Sequence, residues 1–290
     1  MKELIGTGTA LITPFRADGT VDFEALGRIV EQQIQGGTDY LVVLGTTGES
    51  ATLSSSEKSE VIACIKEANA GRLPLVLGMG GNNTAALTDS ISQQDISGFT
   101  ALLSVSPYYN KPNQKGILRH YTAVANASKL PVILYNVPGR TGASVSAAVQ
   151  LKMAEHPNVV ATKEASGNMD LIMNILRDKP DDFLVISGDD ALTFPMMALG
   201  ASGVISVVNH AIPQIYSGMV RAALNGDWTQ ARELHYQSLA LSNAIFEDGS
   251  PGGIKTVLNE MGLCGTTVRP PLYDVNPALD QRLRQMAQQF

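Results

Sequence analysis

The chain has 290 residues, 44% of them hydrophobic and 17% charged, with a formal net charge of −6. That length can bury a large core, and the mild acidity gives no electrostatic footprint for nucleic acid or an anionic membrane. No apolar run approaches the ~20 residues of a bilayer span, and the N-terminus lacks the apolar stretch of a secretion signal.

In chain order, Thr7 to Phe15 reads as a strand that Pro14 terminates, and Asp22 caps a helix bearing Leu26, Ile29, Val30 and Ile34. The apolar run Tyr40 to Gly45 leads into Gly45-Thr-Thr-Gly-Glu49, with a helix from Ser56 to Ala70 after it. The alternation then repeats: strand Leu73–Met79 and helix Thr84–Ser97, strand Ala101–Ser106 and helix Gln114–Ala127. Strand Pro131–Tyr135 and helix Ser146–Glu155 follow, then the strand Asn158-Val-Val-Ala-Thr-Lys163 and helix Met169–Arg177. Strand Phe183–Gly188, helix Ala191–Leu199 and strand Gly203–Val208 complete the pattern. Eight strand–helix units over residues 1–225 predict an α/β fold, a TIM (β/α)8 barrel, rather than a doubly wound sheet. Residues 226–290 read as a C-terminal helical extension beside the barrel, with helices at Trp228–Phe246, Gly253–Met261 and Pro277–Gln288.

Chemistry in such a barrel lies at the C-terminal ends of the strands. There the sequence places Thr46 and Thr47, Tyr108 and Tyr109, Tyr135, Arg140, Lys163 and Gly188. Lys163 follows an apolar, β-branched run, and a period of two puts it on one face with Val159, Ala161 and Ala165. Burial takes its ammonium out of water and favours the neutral amine, which can attack a carbonyl to form a Schiff base. The alternative is a lysine that snorkels to solvent or pairs with Glu164. The Gly45–Gly48 turn offers hydroxyls and backbone N–H groups to a small carboxylate, or is an ordinary loop. Tyr135 reads as an acid/base group or a core tyrosine, and Arg140 as a carboxylate ligand or a surface arginine.

Other classes find little support. Gly78-Met-Gly-Gly-Asn-Asn83 lacks the third glycine of a dinucleotide fingerprint. No phosphate loop occurs, no nucleophile elbow marks a hydrolase, and His120, His156, His210 and His235 have no ligand spacing. A carbonyl enzyme without metal or cofactor is expected. Cys64 and Cys264 are too few for a disulfide framework, so free thiols and a cytoplasmic location are expected.

Six motifs carry a resemblance: Gly45-Thr-Thr-Gly-Glu-Ser-Ala-Thr52, Ser106-Pro-Tyr-Tyr-Asn-Lys-Pro112, Tyr135-Asn-Val-Pro-Gly-Arg-Thr141, Lys163-Glu-Ala-Ser-Gly167, Ser187-Gly-Asp-Asp190 and Gly203-Val-Ile-Ser206. In order and spacing the chain resembles the dihydrodipicolinate synthase branch of the pyruvate-dependent class I aldolases. The resemblance implies a Schiff base between Lys163 and pyruvate, whose enamine condenses with aspartate 4-semialdehyde to give 4-hydroxy-tetrahydrodipicolinate, a step toward diaminopimelate and lysine. It implies Tyr135 as general acid/base, and Thr46 and Tyr109 as its hydroxyl relay, with Tyr109 reaching in from a neighbouring subunit of a homotetramer. Thr47 would hold the pyruvate carboxylate, groups at Gly188 and Ile205 would line the pocket, and Arg140 would receive the carboxylate of the semialdehyde. Sister enzymes, such as an N-acetylneuraminate lyase or a keto-deoxy sugar-acid aldolase, are the enzyme alternative. They generally lack the equivalents of Arg140 and Tyr109. A catalytically silent pyruvate- or lysine-binding barrel is the non-enzyme alternative.

Two departures from the family pattern stand out. The Pro-rich segment of many relatives reads Gly249-Ser-Pro-Gly-Gly-Ile-Lys255 here, and the expectation is a change in the extension's packing rather than in the chemistry. At the lysine-feedback site of sensitive relatives, Ser50, Ala51, Asn82 and Tyr108 match. The acidic position is Ala86, and Ser55 and Lys58 replace two histidines, so weak or absent inhibition by lysine is expected unless Glu57 or Glu60 supplies the missing carboxylate.

Overall fold

The computed structural model describes residues 1–290. The chain begins β1 (Gly6–Ala10), α1 (Phe23–Gln35), β2 (Tyr40–Val43), α2 (Ser55–Asn69), β3 (Leu75–Gly78), α3 (Thr84–Gln93), β4 (Ala101–Val105) and α4 (Gln114–Ala127). It continues β5 (Val132–Asn136), α5 (Pro138–Thr141), α6 (Ala147–Ala154), β6 (Val159–Glu164), α7 (Met169–Asp178), β7 (Leu184–Ser187), α8 (Thr193–Ala198) and β8 (Gly203–Ser206). Four further helices, α9 (Pro213–Leu224), α10 (Trp228–Ala244), α11 (Gly252–Glu260) and α12 (Pro277–Ala287), complete the chain. No helix is long and apolar enough to cross a membrane.

The strands pair in parallel in chain order, and β8 closes on β1. Closure needs a bare backbone at Gly203: a Cβ there, at φ +146°, would lie 1.9 Å from the Gly6 carbonyl oxygen. The apolar strand runs are explained by burial on both faces. One face fills the barrel with Tyr40, Val42, Leu103, Ile133, Ile186 and Ile205. The other packs against the helices, whose apolar stripes supply most of the larger core cluster. Helix starts are fixed by side chains that satisfy orphan N–H groups: Asp22 accepts from Ala25 N, and Ser54 and Glu57 form a capping box on α2.

Several boundaries fall short of expectation for local reasons. β1 ends at Ala10 because Ile12 N donates to His210 Nε2 (3.2 Å) instead of extending the ladder. Burial lowers the His210 pKa to about 4, and its other ring nitrogen lies 2.8 Å from Val207 O. α3 stops at Gln93, since Asp95 takes both the N–H (2.9 Å) and the hydroxyl (3.0 Å) of Ser97 ahead of the left-handed Gly98. Arg140 sits on the one-turn helix α5.

One face assignment is corrected. The pairing of β5 with β6 shifts register after Val132↔Val159, so that Ile133 faces Ala161. The extra residue reverses the alternation: Val159 packs outward with the helices, while Val160, Ala161 and Ala165 belong to the barrel interior. Lys163 therefore shares its inward face with Ala161 and Ala165 but not with Val159.

Candidate active site

Lys163 is the penultimate residue of β6, at the C-terminal end of the barrel, and only 6% of it is exposed. Across the ladder it is registered with Tyr135 of β5 and Ile186 of β7. Its Nζ lies 4.4 Å from the centroid of the Tyr135 ring. Gly188 gives it room: a Cβ there would sit 2.9 Å from Lys163 Cε and 2.7 Å from Ala165 Cβ. Ile205 lies among the barrel-filling residues near this end.

The alternative partner for Lys163 is occupied elsewhere. Glu164 points to the opposite face, fully buried, and its carboxylate accepts from Asn136 Nδ2 (2.9 and 3.1 Å), Gln150 Nε2 (2.8 Å) and Ser166 N (2.8 Å). No carboxylate lies within ion-pair distance of Lys163, in contrast to the fully buried Lys255. A lysine left bare in this way is available as a nucleophile.

The turn after β2 is a short 3-10 segment, Thr46–Gly48, with Gly45 extended before it and Glu49 left-handed after it. Thr13 Oγ1 donates to Gly48 O at 2.7 Å and pins the turn to the end of β1. Thr47 is buried and Thr46 exposed. Tyr135 is buried, and the hydroxyl of Tyr121, 3.1 Å from Ser104 O and 3.3 Å from Tyr135 O, ties β4 to β5 beneath it. Within the chain no hydrogen bond joins Tyr135 to Thr46 or to Tyr109; Tyr109 is 88% exposed, with φ 74°. Arg140 is exposed and forms no ion pair in the chain. The structure thus brings Lys163, Tyr135, Gly188 and Ile205 to one barrel end, with Thr47 on an adjoining loop. It leaves Tyr109 and Arg140 free of partners.

For the residues matched to a lysine site, Asn82 Nδ2 donates to Tyr108 O at 3.2 Å, while Ser50 and Ala51 lie on the loop after Glu49. Ala86 is exposed in the first turn of α3. Glu57 is engaged: the Arg269 guanidinium beside it lowers its pKa to about 2.

Residues 249–255 link the extension to the barrel. They open α11, yet Lys255 reaches the β2–α2 loop, where its Nζ lies 2.6 Å from Glu49 Oε1. Reading the sequence missed this pair. A signal was present: Lys255 sits among Ile254, Val257 and Leu258, and a lysine within such an apolar helix must find a carboxylate.

A closed parallel barrel with a bare, buried amine beside a phenol at its catalytic end defines a class of barrel suited to carbonyl chemistry through an amine. The chain belongs to the dihydrodipicolinate synthetase family, whose sequence profile matches residues 3–290. It is 49% identical over 289 residues to the 4-hydroxy-tetrahydrodipicolinate synthase of Parabacteroides distasonis, covering 99% of this chain and 97% of the relative. It is 52% identical over 284 residues to the enzyme of the same name from Flavobacterium psychrophilum, covering 98% and 97%. Among solved structures it is similar to the chloride-inhibited dihydrodipicolinate synthase from Acinetobacter baumannii complexed with pyruvate. That match has a TM-score of 0.95 and 38% identity, over 98% of each chain.

Proposed function

We propose that this chain is a 4-hydroxy-tetrahydrodipicolinate synthase, condensing pyruvate with aspartate 4-semialdehyde through a Schiff base on Lys163. The observation that carries the reading is the bare Lys163 amine, buried and facing the Tyr135 ring at the catalytic end of the barrel. The amine adds to C2 of pyruvate and water leaves, giving an iminium. Loss of a methyl proton forms an enamine, the iminium acting as electron sink. The enamine carbon attacks the aldehyde of the semialdehyde, whose oxygen takes a proton. The substrate's own amine then attacks C2, displaces Lys163 and closes the ring.

Tyr135 moves the protons, with Thr46 and with Tyr109 from a neighbouring copy as its relay. Phenols and hydroxyls do this without setting a competing charge beside the amine. Thr47 and the turn's backbone hold the pyruvate carboxylate, Gly188 and Ile205 shape the pocket, and Arg140 receives the semialdehyde carboxylate. The exposure of Tyr109 supports a homo-oligomer, whose proposed form is a tetramer built from dimers. Free Cys64 and Cys264 accord with a cytoplasmic location. The exposed alanine at position 86 and the tie between Glu57 and Arg269 support weak inhibition by lysine.

The test is a coupled assay in which a reductase consumes the product of pyruvate and aspartate 4-semialdehyde, run beside pyruvate with N-acetylmannosamine. Turnover with the semialdehyde alone is expected. Turnover only with the amino sugar would assign a sister aldolase instead.

A further inference from the structure

Glu49 closes the turn that carries Thr46 and Thr47, and its backbone is left-handed at φ 50°, ψ 34°. A non-glycine residue stays there when its surroundings over-determine it. Its backbone is held locally, Glu49 N donating to Thr46 O (3.1 Å) and Thr52 Oγ1 to Glu49 O (3.0 Å), while its carboxylate is held by the far end of the chain. The Glu49 and Lys255 side chains are both fully buried, with Lys255 Nζ 2.6 Å from Oε1. Arg269 N donates to Oε2 at 2.9 Å. Lys255 Nζ also donates to Thr267 O (2.8 Å) and lies 4.3 Å from the centroid of Phe15, whose ring is 4.4 Å from the Arg269 guanidinium. Arg269 further reaches Thr52 O (3.0 Å) and the Glu57 carboxylate. The β2–α2 loop, at Glu49 and Thr52, and the first turn of α2, at Glu57, are thus held by residues more than 200 positions away in sequence.

A buried ion pair contributes little net stability, because both charges must first leave water, but its geometry is strict. A strict tether three residues from Thr46 and two from Thr47 fits a need for position rather than for stability. We infer that Lys255 is a positioning residue: acting through Glu49, it sets the Thr46–Thr47 turn that receives the pyruvate carboxylate, and so governs pyruvate affinity from α11. The inference rests on the assignment of that turn to pyruvate made above.

The experiment uses full-length wild type, Lys255→Met, and the double variant Glu49→Gln/Lys255→Met, which leaves no unpaired buried charge. Each is titrated with pyruvate in the presence of borohydride, the adduct on Lys163 is quantified by mass spectrometry, and folding is followed by thermal unfolding. Both variants are expected to reach the wild-type maximal adduct while the half-saturating pyruvate concentration rises about tenfold or more. A folded double variant with unchanged half-saturation overturns the inference and leaves the proposed function standing. A lowered maximum at unchanged half-saturation, or a double variant without an unfolding transition, shows a purely structural pair and overturns it as well. Absence of a Lys163 adduct in wild type removes the proposed function, and the inference with it.

Discussion

Lys163 and Tyr135 face each other across neighbouring parallel strands, registered as partners, with the amine nitrogen 4.4 Å from the centre of the phenol ring. Gly188 supplies the remaining wall of this arrangement. Any side chain at position 188 would meet Lys163 Cε at 2.9 Å and Ala165 Cβ at 2.7 Å. Gly188→Ala should therefore displace the amine while leaving the barrel folded. The expected result is a loss of about a hundredfold in the rate of Schiff-base trapping, the scale of a misplacement near 1 Å. Trapping at the wild-type rate would show that the lysine tolerates the shift.

The fold was largely legible because its signals are local. Apolar runs bounded by Gly and Pro mark strands buried on both faces, and Asp22, Ser54 and Ser146 cap helices as their side chains suggest. The position of Lys163 followed from the same logic, since the end of an apolar strand in a parallel barrel is the catalytic end. What escaped was non-local. The extra residue at Val159–Val160 is a property of pairing with β5, invisible in an unbroken apolar run. Glu49 and Lys255 are 206 residues apart, and only the folded chain brings them together. The unpaired state of Lys163 likewise depends on Asn136 and Gln150 occupying Glu164.

Arg140 has a guanidinium free of protein carboxylates, on a one-turn helix beyond the end of β5. If it binds only the second substrate, Arg140→Ala leaves pyruvate trapping intact. A lost charge-assisted contact is worth ~1.5–3 kcal/mol, which lowers kcat/KM for the semialdehyde by about ten- to a hundredfold. Steady-state kinetics in the coupled assay read this directly. Near wild-type kcat/KM in the variant would contradict the carboxylate role.

Tyr109 is 88% exposed although it is a large aromatic, as expected of a side chain that completes a neighbouring copy's site. Tyr109→Phe and Lys163→Ala proteins, each inactive alone, should regain measurable activity when mixed under conditions of subunit exchange. Exchange demonstrated by mass labelling without any recovery would argue that each site is built from one chain.

Regulation offers a contrast between sequence positions. Ala86 contributes no carboxylate to a lysine ammonium, and Glu57 is committed to Arg269. Lysine titrated into the coupled assay should inhibit weakly or not at all. Ala86→Glu should tighten inhibition, by about ten- to a hundredfold if one charge-assisted contact is restored. Strong inhibition of the wild-type chain at submillimolar lysine would place the ammonium on a different carboxylate.

Borohydride reduction in the presence of pyruvate reads which amine forms the Schiff base. Lys255 is fully buried and ion-paired, and Lys111 lies on the exposed loop with Tyr109, so neither has the environment of Lys163. Peptide mapping by mass spectrometry should find the reduced pyruvate adduct on the peptide containing Lys163, and Lys163→Ala should abolish it. An adduct on Lys111 or Lys255, or none on the wild-type chain, would show that Lys163 is not the nucleophile.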